Sequence, residues 1–137
     1  MKILFLDIDG VLLIHNSYNI PEKKMYLLEK IVKETNCKIV IHSSMREEGI
    51  ELLRKHGFKY VDNIIGVVPF LGIIKGKQIL HYLKENNVSN YVVVDDEHKH
   101  ICSPKHNYIS KSNFVYVDRN IGLSKENTEE IIKKMNK

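Results

Sequence analysis

The chain lacks the cysteines of a disulfide framework and the long apolar runs of a membrane protein. Its only cysteines are Cys37 and Cys102, and they lack the paired spacing of a structural zinc site. No run approaches the ~18 consecutive apolar residues that span a bilayer, and the acidic residues near the N-terminus do not fit a secretory signal. We therefore expect a cytoplasmic protein with no membrane contact.

The charge is mildly basic and the composition is that of a globular protein. The net charge is +4, the hydrophobic fraction 43% and the charged fraction 28%. A basic excess is compatible with a phosphate-bearing partner, although the lysines are scattered, as on an ordinary solvated surface. Because there is no repeat, linker or low-complexity tract, we expect one domain over residues 1–137.

Short apolar runs rich in β-branched residues alternate with helical patterns. The predicted strands cover residues 2–6, 38–42, 91–95 and 114–117, and 64–69 could form a fifth. The predicted helices begin near Pro21, Arg46, Gly76 and Ser124. This alternation is typical of an open, mostly parallel sheet with helices on both faces. The sequence therefore predicts a Rossmann-like α/β fold.

Polar residues follow three of the predicted strands at the point where each strand ends. They are Asp7 and Asp9 after the first strand, with Gly10 directly behind them, Ser43 and Ser44 after the second, and Asp95 and Asp96 where the strand at 91–95 ends. Lys75 and Lys77 stand where the helix before that run begins. Because open α/β sheets bind ligands outside the carboxyl ends of their strands, we expect these groups to meet at one edge.

This set of side chains matches the chemistry of phosphoryl transfer. Clustered carboxylates raise each other's pKa unless a cation lies among them, and oxygen-only ligands favour Mg²⁺. The cation lets an anionic carboxylate approach an anionic phosphoryl group. A carboxylate nucleophile divides the displacement into two steps, and a second carboxyl group can protonate the leaving oxygen. Gly10 permits the turn that aims both Asp7 and Asp9 into one crevice.

The segment from Asp7 to Val11, Asp-Ile-Asp-Gly-Val, resembles the first signature of the haloacid dehalogenase-like (HAD) hydrolases, Asp-x-Asp-Gly followed by Thr or Val. The resemblance implies a magnesium-dependent phosphatase in which Asp7 is the nucleophile and a metal ligand. It implies that Asp9 is the general acid/base and that its backbone carbonyl binds the metal.

The other signatures of these hydrolases have counterparts in the same order. The second resembles the strand that ends at Ser43, which implies that Ser43, or alternatively Ser44, binds the transferring phosphoryl group. We also expect Gly10 and Arg46 to contact the phosphate.

The third and fourth signatures complete the resemblance. Lys75, or its close rival Lys77, resembles the lysine that offsets charge on the nucleophile and the phosphate. Asp95 and Asp96 resemble the acidic pair that holds the metal directly or through water.

Among HAD proteins the chain resembles small uncapped members, including the phosphatase-like domains of the Swiss Army Knife RNA-repair group. The stretch Ser43–Arg46 resembles their Ser-Ser-x-Trp-Arg, without the tryptophan, and Gly122–Ser124 resembles their Gly-Leu-Thr. No connection is long enough for a substantial cap domain. An uncapped site admits large substrates and excludes water poorly from small ones, so we expect a macromolecular phosphate, such as a nucleic-acid end or a phosphoprotein.

Three histidines, His98, His100 and His106, follow the acidic pair together with Cys102. They could suggest zinc, but their spacing matches no standard structural site. We interpret the segment as a polar active-site loop in which His98 and His100 could touch phosphate or substrate.

Two other functions compete with a phosphatase. A receiver-like signalling domain also uses a phosphorylatable aspartate, an acidic pair and a lysine. It usually carries the acidic pair on its first strand, whereas here Asp7 and Asp9 come first and the pair comes late. A catalytically idle, phosphate-binding or interaction domain is the other alternative, which the full set of acids disfavours.

Overall fold

The computed structural model describes residues 1–137 and contains five strands and four α-helices. The strands are β1 (Lys2–Leu6), β2 (Lys38–Ile41), β3 (Ile64–Val67), β4 (Asn90–Asp95) and β5 (Phe114–Tyr116). The helices are α1 (Glu22–Thr35), α2 (Glu47–Lys55), α3 (Lys75–Glu85) and α4 (Lys125–Met135). Every predicted strand and helix is present, including the short strand expected within residues 64–69.

The five strands form one parallel sheet in the order β3-β2-β1-β4-β5. At its centre, Leu6 of β1 pairs with Ile41 of β2 on one side and with Val94 of β4 on the other. The order reverses between β1 and β4, so the carboxyl ends of these strands flank the crevice in which such sheets bind ligands. The predicted Rossmann-like fold is confirmed, and the sheet is wholly parallel.

Alternate residues of each strand point to opposite faces of the sheet, and each face has its own core. Leu4 and Leu6 belong to a core of 24 buried residues with α1, α2 and α4, which we call the three-helix face. Ile3 and Phe5 belong to a core of 9 buried residues with α3, which we call the one-helix face. Helices cover both faces, as predicted, but unequally.

Local sequence explains several helix ends. The Ser124 hydroxyl accepts a hydrogen bond from the Asn127 amide (3.1 Å) and the Asn127 side chain accepts one from the Ser124 amide, which forms a capping box at the start of α4. Asn36 follows α1 and Gly57 follows α2, both with the positive φ that ends helices. A glycine just past a helical apolar pattern predicts the end of the helix, so Gly57 confirms that expectation for α2, and the start predicted at Ser124 is also confirmed.

One expected core position is wrong. The apolar pattern of the third helix predicts that Ile79, Leu80 and Leu83 face inward together. Leu80 is instead 38% exposed, while Ile79 lies in the one-helix core and Leu83 packs against it. Since an α-helix has 3.6 residues per turn, Leu80 lies about 100° around the helix from Ile79 and leaves the narrow inward stripe.

The connections between the strands hold the four helices, short turns and loops, without a cap domain over the site edge. None of the helices combines the length and the apolar character needed to cross a membrane.

Candidate active site

Two buried aspartates end the central strands. Asp7 follows β1, and its amide donates a hydrogen bond to the Val94 carbonyl (3.2 Å), which extends the pairing with β4 by one residue. Asp95 is the last residue of β4. Asp7 is 4% exposed and Asp95 is fully buried. Parallel pairing of β1 and β4 therefore brings two carboxylates to the crevice where the strand order reverses.

A third carboxylate, that of Asp96, completes a compact triad. One carboxylate oxygen each from Asp7, Asp95 and Asp96 lies within 4.8 Å of the other two. Burial, and then the negative charge of Asp95, raises the pKa of Asp7 well above its usual range. Burial also raises the pKa of Asp96. Three oxygen donors with mutually repelling charges are the donor set that a hard cation stabilises, so the triad can hold a metal ion.

Gly10 has the backbone conformation and the space that this triad requires. Its φ is +81°, and a Cβ atom here would collide with the Asp96 carboxylate. Its amide donates a hydrogen bond to the Leu13 carbonyl (2.7 Å), which closes the turn after Asp7. A side chain at residue 10 would therefore displace one member of the triad.

Asp9 lies outside the triad. Its side chain is exposed, and it lines a groove of about 470 Å³ together with Gly10, Tyr18, Asp96 and Arg119. The side chain thus borders the triad from the solvent side. Its assignment as general acid/base, with a backbone carbonyl on the metal, stays a prediction.

Lys75 is the lysine that reaches the carboxylates. Its Nζ lies 2.7 Å from Asp95 Oδ2 at the start of α3. Burial opposes its charge, but the negative charges of Asp7 and Asp95 outweigh burial and raise the pKa of Lys75. Lys77 instead places its Nζ 5.8 Å from the centroid of the Tyr108 ring. Of the two candidates, the geometry brings only Lys75 into contact with an aspartate of the triad.

The second strand delivers its two serines to a groove on the other side of Lys75. Ser43 is buried and its hydroxyl accepts a hydrogen bond from the Met45 amide (3.1 Å), whereas Ser44 is exposed. Both serines line a groove of about 620 Å³ with Arg46 and Lys75. The structure thus brings these predicted phosphate-binding residues to one groove, and which serine binds phosphate stays a prediction.

This arrangement agrees with a comparison of the sequence with protein families. The family model for the HAD domain in Swiss Army Knife RNA repair proteins matches residues 3–128. The chain belongs to this family. Domains of this kind are generally phosphatase-type hydrolases. No curated protein and no solved structure matches the chain.

The HAD domain has a buried histidine beside its triad that sequence reasoning did not assign to the site. His42 Nε2 lies 3.2 Å from the Val94 carbonyl and 3.7 Å from Asp95 Oδ2, while Nδ1 is buried without a partner. Burial, and then the positive charge of Lys75, lowers the pKa of His42 to about 3, so the ring is neutral. A signal existed, because His42 continues the apolar run of β2 directly before Ser43.

Arg119 is a second residue of this HAD domain that the sequence did not indicate. Its Nε lies 3.6 Å from Asp96 Oδ2, and its side chain borders the same groove as Asp9. Arg119 lies in the loop after β5, and no periodicity or motif marks it. Only the pairing of β4 with β5 brings that loop to Asp96.

The histidines after Asp96 do not converge on one point. The His100 ring contacts Glu97 (Nδ1 to Oε1, 3.0 Å) and lies 5.3 Å from the His106 ring, which stacks on Tyr108. His98 packs edge-on against Tyr116. The one group of three or more potential metal ligands in the HAD domain is the aspartate triad. His98 and His100 border a shallow groove beside Asp96.

Proposed function

We propose that this HAD domain is a magnesium-dependent phosphomonoester hydrolase that forms an aspartyl-phosphate on Asp7. The observation that carries the proposal is the placement of Asp7, nearly buried, beside two further carboxylates and within the field of Lys75. Burial and the two neighbouring carboxylates disfavour the ionised form of Asp7, and nearby cations favour it. Nucleophilic attack on phosphorus requires the ionised carboxylate, so the site needs those cations.

Asp7 performs the first half-reaction. One of its carboxylate oxygens attacks phosphorus in line, an O–P bond forms, and the bond from phosphorus to the ester oxygen breaks. Lys75 offsets negative charge on Asp7 and on the phosphoryl group. A Mg²⁺ ion held by Asp7, Asp95 and Asp96, with the Asp9 carbonyl, would supply further charge neutralisation at the phosphoryl oxygens.

Asp9 handles the protons in both halves. Its carboxylic acid gives a proton to the ester oxygen as that oxygen leaves, and its carboxylate then accepts a proton from the water that attacks the aspartyl-phosphate. Inorganic phosphate leaves and Asp7 is restored as a carboxylate. Ser43 or Ser44, with Arg46 and the backbone at Gly10, binds the phosphoryl oxygens. An acceptor other than water would make the same first step part of a phosphotransferase.

The substrate we propose is a phosphate on a macromolecule. Asp96 of the triad lines one open groove of about 470 Å³, and Lys75, which contacts Asp95, lines another of about 620 Å³. No cap domain closes over either groove. An open crevice of this kind can admit a nucleic-acid end or a phosphoprotein segment. The description of the matching family, which names RNA repair proteins, supports the nucleic-acid end.

Hydrolysis of acetyl phosphate and para-nitrophenyl phosphate, with Mg²⁺ and with a chelator, tests the proposal. Because Asp7→Asn keeps the shape but removes the nucleophile, we expect a loss of at least about 10³-fold in kcat. Asp62→Asn, an exposed aspartate remote from the triad, is the matched control and should keep wild-type activity. Equal rates for wild type and Asp7→Asn, or a rate that the chelator does not reduce, would contradict the mechanism.

A further inference from the structure

The groove on the β2 side of the triad has an exposed aromatic ring at its rim. We call it the Phe70 groove, and Ser43, Arg46, Phe70, Lys75 and Gln78 line it. Its volume of about 620 Å³ lies within the range of about 300–1,000 Å³ that is common for small-molecule sites. A phosphoryl group bound by Ser43 and Lys75 occupies only a small part of this volume, so the groove has room for the part of the substrate next to the phosphate.

Phe70 is exposed but held in place. Its side chain is 67% exposed, yet the Arg46 guanidinium carbon lies 5.0 Å from its ring centroid. The next residue, Leu71, donates its amide hydrogen to the Gln78 side-chain oxygen (2.8 Å), which attaches the loop to α3. These two contacts restrict the ring and its loop before any ligand arrives, which lowers the entropy cost of stacking.

The Phe70 groove combines a phosphate end with a flat apolar surface and a free donor. The Gln78 amide nitrogen makes no hydrogen bond within the chain, and amide groups of this kind pair with the edges of bases. Every nucleobase has a π-face that stacks on an aromatic side chain, and in a nucleotide the base lies one sugar away from the phosphate. Phosphoserine and phosphothreonine offer no ring to such a surface.

We propose that the Phe70 groove binds the terminal nucleobase of a phosphorylated nucleic-acid end, with the base stacked on Phe70. This proposal rests on the proposed function, because it takes the phosphate of that nucleotide as the group transferred to Asp7. Arg46 then supports the ring from one side and adds positive charge close to the phosphate. Phe70 thus determines specificity by favouring ends that carry a base.

The experiment compares two matched substrates. One is a short oligonucleotide phosphorylated at one end, and the other differs only in an abasic terminal residue; both ends of the strand are assayed separately. We expect Phe70→Leu to lower kcat/KM for the base-bearing end by about tenfold and to leave the abasic end unchanged. Phe70→Trp should preserve the preference, and Tyr26→Leu, an exposed aromatic on α1 outside the groove, should alter neither substrate.

Two further measurements separate failure of the proposed function from failure of the groove proposal, and a phosphotyrosine peptide serves as a competing ring-bearing substrate. Turnover of acetyl phosphate, which has no ring, reports the phosphatase chemistry alone, so its loss in Asp7→Asn tests the proposed function. Binding of the labelled oligonucleotides to Asp7→Asn, followed by fluorescence anisotropy, tests the groove even if no turnover occurs. Equal effects of Phe70→Leu on base-bearing and abasic ends, or an effect confined to a phosphotyrosine peptide, would overturn the nucleobase proposal.

Discussion

The two faces of the sheet differ in size and in what they carry. The three-helix face buries 24 core residues under α1, α2 and α4, while the one-helix face buries 9 under α3. Yet the first residue of α3 is Lys75, which contacts the triad, and Gln78 of the same helix lines the Phe70 groove. Buried apolar area is the main source of stability. Most of the stability of this domain therefore comes from the three-helix face, which contributes no lysine to the site.

The attachment of α3 explains how a small core can still position Lys75 beside the triad. The Gly76 amide donates a hydrogen bond to the His100 carbonyl (2.9 Å). A Cβ atom on Gly76 would lie 2.7 Å from that carbonyl oxygen and 2.8 Å from the Tyr108 side chain. The first turn of α3 is therefore fixed by close contact with the loop after β4, directly beside Lys75. The comparison teaches that most of the buried core lies on one face of the sheet, whereas Lys75 is positioned from the other.

Among changes that compare the two faces, we expect the largest effect from Lys75→Met on the one-helix face. This change keeps much of the side-chain volume but removes the cation beside Asp95, so kcat should fall by about 100–1,000-fold. Lys77→Met, two residues along the same helix, is the matched control and should keep activity. Steady-state kinetics with acetyl phosphate measures both. The opposite result would assign the catalytic lysine to Lys77.

Matched core truncations compare the two faces directly. Ile31 on the three-helix face and Ile79 on the one-helix face are both fully buried, so alanine at either should lower the free energy of unfolding by about 2–5 kcal/mol. Urea unfolding measures this loss. At a temperature where both variants stay folded, only Ile79→Ala should also lower kcat, because Ile79 anchors the helix that carries Lys75. An equal fall in kcat for Ile31→Ala and Ile79→Ala would mean that both faces position the site to the same degree.

Two helical glycines provide a smaller test. Gly76→Ala places a methyl group against the backbone of His100, so we expect a loss of about 1–3 kcal/mol in stability and a fall in kcat. Gly49→Ala, on α2, meets a side-chain carbon of Ile8 at 3.1 Å. There the gain of about 1 kcal/mol in helix propensity offsets the contact. Thermal unfolding and kinetics of the two variants should therefore differ clearly, and similar behaviour would contradict the tight fit at Gly76.

Most of the fold could be predicted because its signals are local. Buried strands are continuous apolar runs, and a capping serine and a helix-ending glycine stand at their expected places. The strand with the weakest sequence signal is β3, at the edge of the sheet. Its residues are only partly buried, so the sequence there has less need of a continuous apolar run. Leu80 was placed wrongly because three neighbouring apolar residues do not reveal how wide the buried stripe of a helix is.

The site was predictable where it coincides with strand ends. Parallel pairing brings the ends of β1 and β4 together, so Asp7 and Asp95 had to meet once both strands were recognised. Contacts made by loops had no such signal. Arg119 and Phe70 reach the site only through the path of the chain after β5 and before α3, which no periodicity in the sequence specifies.

The last and smallest test concerns His42, whose buried, neutral ring lies beside Asp95 of the triad. Burial, and then the charge of Lys75, lowers the pKa of His42 to about 3, whereas in the unfolded chain it returns to its ordinary value near 6.5. Between these two values the unfolded state binds more protons. The contribution of His42 to stability is therefore complete above pH 6.5 and is lost as the pH falls, by about 1.4 kcal/mol for each pH unit.

His42→Gln isolates this contribution, because glutamine stays neutral and can still donate to the Val94 carbonyl. The raised pKa values of Asp7 and Asp96 act in the opposite direction, since acids protonated first in the folded state add stability as the pH falls. These effects of Asp7 and Asp96 are, to a first approximation, the same in wild type and His42→Gln. They therefore cancel in the difference between the two free energies of unfolding when both are measured with a chelator present. Between pH 6.5 and 5.5, urea unfolding should show wild type losing about 1 kcal/mol more than His42→Gln. Parallel pH profiles would mean that His42 is solvated and charged, and that the crevice beside Asp95 is less closed than its burial indicates.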